Sequence, residues 1–160
     1  MSNSETLKNL NTALQMELSA QHQYQLHSHV LDDWGIDRLA AKMREEFAEE
    51  TGHSDVFLAR IMTLGGTPDM AFASKPKAPE SLKAMFEADL ADELEAIRFY
   101  TQAAKAAYAA DDLGSYELFK ATAIDEEAHR DWLQLQLDLM ERIGEERYTF
   151  KHISGAGAEG

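Results

Sequence analysis

Four long stretches of the chain place apolar side chains three and four residues apart, the spacing of one face of an α-helix. In the first the stripe runs Leu7, Leu10, Leu14, Gln21, Tyr24 and Leu31. In the second it runs Ile36, Ala40, Met43, Phe47, Phe57 and Ile61, and in the third Leu82, Phe86, Asp89, Ala96, Tyr100 and Ala103. The fourth runs Phe119, Thr122, Leu133, Gln136 and Met140. Each stretch is filled with Ala, Leu, Glu, Gln, Lys and Met, all good helix formers. The pattern predicts helices over 4–32, 36–64, 80–109 and 113–143, with Asp112 as an N-cap and Gly144 as a C-terminal stop. Asp33-Trp34-Gly35 and Asp111-Asp112 leave room only for tight turns, so each pair of helices is an antiparallel hairpin. All three prolines fall between Pro68 and Pro79. The irregular chain between the second and third helices, about 15 residues, reaches roughly 50 Å when extended, more than the roughly 42 Å of a 28-residue helix. The expectation is an all-α four-helix bundle with one long crossover between the second and third helices.

The chemistry lies in what interrupts the stripes. Following the spacing through the first and third helices lands on Glu17 and Glu93. In the second and fourth it lands on Glu50 and Glu126, each followed one turn later by His53 and His129. Glu17 to Glu93, Glu50 to Glu126, His53 to His129 and Tyr24 to Tyr100 are all 76 residues apart. The chain therefore reads as two copies of a helical hairpin, each giving one Glu from its first helix and Glu-x-x-His from its second. The two Glu-x-x-His pairs are the only ones in the sequence, and chance recurrence of such a set over all shifts is on the order of a few per cent. Four ionised carboxylates in one core would repel and lose hydration, several kcal/mol apiece. Two divalent cations cancel that charge and leave the imidazoles as neutral ligands. Oxygen and imidazole donors without thiolate suit iron or manganese, and zinc less specifically.

Composition narrows the context. The 160 residues carry a formal charge of −14 and no Cys, which excludes disulfides and thiolate metal sites. Such acidity argues against nucleic-acid binding and favours cations. No run approaches the roughly 20 apolar residues of a membrane span, and Met1–Lys8 lacks the apolar stretch of a signal peptide. A cytoplasmic protein without membrane partners is expected.

From about Leu7 to Gly144 the residues resemble the ferritin-like di-iron proteins, specifically the bacterioferritin branch. The shared features are Asn11-x-x-Leu14-x-x-Glu17-Leu18-x-Ala20-x-x-Gln23-Tyr24, the Asp33-Trp34-Gly35 turn, Glu50-x-x-His53, and Asp125-Glu126-Glu127-Ala128-His129 with Trp132. The resemblance implies a ferritin-like domain over 1–144 and a short fifth helix or flexible tail over 145–160. It implies that Glu50 and Glu126 bridge two irons, with Glu17 and His53 completing one and Glu93 and His129 the other. The implied activity is a ferroxidase: O₂ or H₂O₂ takes electrons from two Fe(II), and the Fe(III) is stored as mineral inside a hollow shell. Tyr24 would bond a terminal carboxylate, taken here as Glu93; the repeat assigns Tyr100 the same task at Glu17, and Trp132 is a candidate electron relay. A homo-oligomeric shell of 24 subunits is favoured over 12 subunits or a dimer, with a ferredoxin-type reductant as partner.

Three departures qualify this picture. Haem-binding bacterioferritins follow the first bridging Glu with a haem-ligating Met, where this chain has Thr51, so no haem is expected in a homo-oligomer. A mixed shell with a Met-bearing subunit stays open. Glu45 stands where some relatives have an inner-surface His; with Glu46 and Glu49 it forms either an iron-collecting patch or an ordinary solvated helix face. The fifth helix is poorly matched: residues 145–153 can make two turns, and Ser154–Gly160 should be floppy. His22, His27 and His29 lie off the stripe and read as surface or subunit-contact residues, Met16, Met43, Met62, Met85 and Met140 as core or interface filler, and Asp89 as a neighbour of Glu93. The competing functions are a non-storage di-iron oxidase or peroxidase and a structural ferritin subunit in a mixed shell.

Overall fold

In a computed structural model, residues 2–156 are described, with side chains from Ser4 onward. The elements are α1 (Ser2–Asp33), α2 (Asp37–Thr63), α3 (Leu82–Ala109), α4 (Leu113–Ile143) and α5 (Glu145–Phe150). Two of the boundaries are set by side-chain oxygens that accept orphan helix N–H groups. Ser81 Oγ accepts from Ala84 N at 3.1 Å, which starts α3 at Leu82, where its stripe begins and two residues after the expected bound of 80. Asp112 Oδ1 accepts from Ser115 N at 3.0 Å, as expected of a cap for α4. Gly144 sits at φ +83°, a left-handed conformation natural to glycine, and separates α4 from α5.

Side-chain pairs fix the helix directions. Tyr24 reaches Glu93 and Glu17 meets Tyr100, so α1 and α3 run antiparallel. His53 meets Asp125 and Arg60 meets Ser115, so α2 and α4 do as well. Because α1 and α2 form a hairpin, α2 and α3 are parallel, and the chain must travel the bundle's length between them. The crossover is held on the way by a polar ladder on α1. Asn11 bonds the backbone at Thr67 and Asp69, Gln15 O accepts from Ala73 N, Ser19 Oγ accepts from Ser74 N, and Gln23 makes both bonds to the backbone of Lys77. These α1 residues recur every four positions, so an irregular segment that cannot bond itself finds partners along one helix face.

The core is two apolar halves separated by a polar waist. One half holds Leu31, Met43, Phe86, Leu133 and Tyr148 among others. The other packs Leu10, Leu14 and Ile61 around Phe57, whose ring lies 5.6 Å from those of both Tyr100 and Phe119. On every long helix the carboxylates fall between these halves. The buried face of α4 is Phe119, Thr122, Glu126, His129, Leu133, Gln136 and Met140 with Ser115, the stripe read from the sequence plus one residue. The buried face of α2 departs from its stripe: Leu39 and Glu46 are also buried, and Phe47 is only partly so. Past α5 the tail turns back onto α2, where Ser154 N donates to Asp37 Oδ1 at 2.7 Å and Arg38 N to His152 O at 3.1 Å. Ser154–Ala156 are thus in turns; residues 157–160 of the expected floppy tail lie outside the described residues. No helix among the described residues is long and apolar enough to cross a membrane.

Candidate metal centre

The waist brings six side chains together from four helices. Glu17 (α1), Glu50 and His53 (α2), Glu93 (α3), and Glu126 and His129 (α4) are each no more than 8% exposed. They form two donor groups: Glu17, Glu50, His53 and Glu126, and Glu50, Glu93, Glu126 and His129. In each group the donor atoms lie within 4.8 Å of one another. The shared residues divide their oxygens. Glu50 presents Oε2 to His53 Nδ1 at 3.1 Å and Oε1 to His129 Nδ1 at 3.5 Å. Glu126 presents Oε1 to His53 Nδ1 at 3.2 Å and Oε2 to His129 Nδ1 at 3.1 Å. Glu17 Oε2 is 3.3 Å from His53 Nδ1, and Glu93 Oε1 is 3.6 Å from His129 Nδ1.

Two tyrosines hold the outer carboxylates. Tyr24 donates to Glu93 Oε1 at 2.7 Å, and Tyr100 donates to Glu17 Oε1. Both hydroxyls are buried beside negative charge, which pushes them well above the ordinary tyrosine range and keeps them as donors. Glu17 Oε2 and Glu50 Oε1 are buried without a hydrogen-bond partner among the described residues. Orphan oxygens of this kind, facing imidazole nitrogens, fit a pair of cations and are costly without one.

The electrostatics of the metal-free chain say the same. Burial first, then the charge of Glu50, raises Glu17 well above the usual carboxylate range; burial and the neighbouring Glu126 raise Glu93. At Glu50 and Glu126 burial opposes ionisation, yet hydrogen bonds from the other acids and from both imidazoles hold them below the ordinary value. At His53 and His129 burial disfavours charge but is outweighed by the surrounding carboxylates, so both stay protonated far above the usual histidine range. Four carboxylates, two neutral imidazoles and two divalent ions sum to zero charge, so metal entering the waist would take the place of protons that the raised groups hold.

Behind the imidazoles lie acids that the stripes did not single out as partners. His53 Nε2 meets Asp125 Oδ2 at 3.1 Å, and His129 Nε2 meets Glu46 Oε2 at 2.9 Å and Glu49 Oε2 at 3.2 Å. Glu49 and Asp125 are 76 residues apart, so the internal repeat carried the signal for this pair. Of the patch Glu45, Glu46 and Glu49, only Glu46 is buried, at 4% exposure. His27 is a correction: it is 2% exposed rather than on the surface, and its Nδ1 lies 3.1 Å from Asp89 Oδ2. The two make a buried pair beside the centre, with Gln23 on the other ring nitrogen. Trp132 stacks edge-on to Phe86 at 5.6 Å, and Thr51 Oγ1 donates to its own helix at Phe47 O, 2.8 Å.

A cavity of about 280 Å³ opens onto the waist between α1, α3 and the crossover. Its walls include Glu17, Tyr24, Glu50, Glu93, Tyr100 and Glu126, with Asp89, Asp92 and Glu95 above them and Ala73 and Ser74 from the crossover.

The ferritin-like domain family matches residues 7–143. The bacterioferritin of Brucella melitensis biotype 1 is 42% identical over 142 residues, 89% of this chain and 88% of that one. The bacterioferritin of Rhodobacter capsulatus is 36% identical over 140 residues, covering 88% and 87%. A solved structure of Rhodobacter capsulatus bacterioferritin superposes with a TM-score of 0.92 at 33% identity, covering 96% of both chains. In that crystal the dinuclear site is metal-free and haem iron lies in a special position. Mycobacterium tuberculosis bacterioferritin BfrA superposes with a TM-score of 0.90 at 36% identity, covering 93% and 94%.

Proposed function

As a member of the ferritin family, with a ferritin-like domain over nearly its whole length, the chain is an iron-storage protein, and we propose that it is also a ferroxidase acting at the waist. Fe(II) is the substrate, drawn to the acidic cavity between α1 and α3. Glu50 and Glu126 bridge the two ions; Glu17 and His53 complete one position, Glu93 and His129 the other. The iron pair gives up two electrons to O₂ or H₂O₂ and leaves as Fe(III) for mineral storage. The protein's work is positioning and charge. Tyr100 holds Glu17 by Oε1 and leaves Oε2 for metal, and Tyr24 holds Glu93 by Oε1, the oxygen that also faces His129. Asp125 bonds Nε2 of His53, and the carboxylates of Glu46 and Glu49 lie beside Nε2 of His129, so each ring turns Nδ1 toward the centre.

Self-assembly into a shell, with 24 subunits favoured, is supported by large apolar side chains left open on the single chain, among them Val56, Met62, Leu94, Ile124 and Leu135, each at least 44% exposed. Thr51 spends its hydroxyl on Phe47 O and has no soft donor to offer iron, which supports a shell of this chain alone without haem. A cytoplasmic site of action and a ferredoxin-type reductant for iron release complete the reading.

The observation that carries it is the pair of donor groups sharing Glu50 and Glu126, with buried oxygens left unpartnered. Anaerobic titration with Co(II) tests it. Two ions per chain should bind with d–d bands of low-symmetry oxygen and nitrogen coordination, and Glu50→Ala should lose both. A single ion, or an unchanged Glu50→Ala titration, would overturn it.

A further inference from the structure

His129 faces two ways. Its Nδ1 looks into the waist, and its Nε2 looks out at Glu46 and Glu49. Those outer residues form a donor group of their own, Glu46, Glu49 and His129, with donor atoms within 4.8 Å of one another. Glu46 Oε2 and His129 Nε2 approach to 2.9 Å but are not aligned for a hydrogen bond, and both are buried without a hydrogen-bond partner among the described residues. By itself this is a third place for a metal ion, on a residue the dinuclear centre already uses.

A cation is built into the chain at this point. The Lys42 ammonium pairs with the other oxygen of Glu46, lies 3.9 Å from Glu45 Oε2, and sits over the Trp132 ring at 5.3 Å from its centroid. The ion pair and the aromatic face together hold a side chain that is still 30% exposed. The other half of the internal repeat has no such device. Residues 76 positions after Lys42 and Glu46 are Leu118 and Thr122, and Asp125 behind His53 has a half-exposed carboxylate that water can screen.

We propose that Lys42 is the resident counter-ion of the Glu46–Glu49–His129 group, occupying it in place of a metal so that His129 stays committed to the dinuclear pair. This rests on the dinuclear reading of the waist. A neutral imidazole has one lone pair for a metal, so an ion held through Nε2 competes with one held through Nδ1. With Lys42 present the buried carboxylate of Glu46 is already neutralised, and a divalent ion entering the group meets an ammonium. Without it Glu46 is a buried, uncompensated charge, the condition that recruits a cation.

Zinc, which does not change oxidation state, reads this directly through anomalous diffraction from zinc-soaked crystals of the assembled protein, with equilibrium dialysis for the count. The native chain should show two zinc ions among Glu17, Glu50, His53, Glu93, Glu126 and His129, and none at Glu46. Lys42→Met should gain one zinc per chain bounded by Glu46, Glu49 and His129. The gain should vanish in Lys42→Met with Glu46→Gln, and Lys42→Arg should behave as native. Lys42→Gln carries the same comparison if Lys42→Met does not assemble. Zinc at Glu46 in the native chain, or no added zinc without Lys42, overturns the proposal. Fewer than two zinc ions in the waist would instead overturn the dinuclear reading, and it would do so whatever Lys42 does.

Discussion

At Glu17 and Glu93 a single hydroxyl decides how a buried carboxylate is held. Replacing Tyr100 by Phe removes the donor on Glu17 Oε1, and replacing Tyr24 by Phe removes the one on Glu93 Oε1. An oxygen left buried and unpartnered costs about 1–3 kcal/mol, so each variant should melt several degrees below the native metal-free protein. Each should also weaken metal binding by a comparable factor, since the two tyrosines stand in equivalent places. A Tyr100→Phe protein with native melting and native Co(II) affinity would show that the second tyrosine only fills space. The tyrosine pair was legible because the 76-residue repeat carried it. Glu46 was not: residues 46 and 47 lie 100° apart on the helix, and the apolar one was the natural choice for the inward face. Its burial depends on Lys42, from its own helix, and His129, from α4, partners that no local pattern reveals.

The helices were legible nearly whole, because a buried face repeated over seven or eight turns leaves little freedom in register. The α4 stripe matches its buried face residue for residue apart from Ser115. What the periodicity could not supply was the path of residues 64–81, where no face repeats. That path is set from α1, by the side chains of Asn11, Ser19 and Gln23, whose spacing does not say which segment they hold. Two element-level outcomes follow. Asp112→Ala removes the α4 cap and the ion pair to Arg60, and should cost about 1–2 kcal/mol in thermal or urea unfolding without changing metal stoichiometry. Gln23→Ala removes both bonds to the Lys77 backbone, and should speed amide exchange in the crossover with little change in the melting of the bundle. Exchange at native rates would mean that Gln23 does not anchor it.

For the whole molecule, the shifted groups in the waist tie stability to pH and to metal. Glu17, Glu93, His53 and His129 all have raised values in the folded, metal-free chain. Their contribution is complete below the unfolded values and is lost as pH climbs through the folded ones, so metal-free protein should melt lower on going from mildly acid to alkaline solution. Glu50 and Glu126 are lowered, and their contribution is lost on strong acidification. Zinc should abolish the alkaline loss and release protons as two ions bind, checked by calorimetry in buffers of different ionisation enthalpy. The most direct test of storage through oxidation at this centre is aerobic Fe(II) addition to protein of known mass by light scattering, with Glu50→Ala beside it. The expected result is a particle of many subunits that oxidises iron rapidly, keeps hundreds of irons soluble per particle, and slows by more than tenfold in the variant. A small oligomer that oxidises only about two irons per chain, or a variant as fast as the native protein, would contradict it.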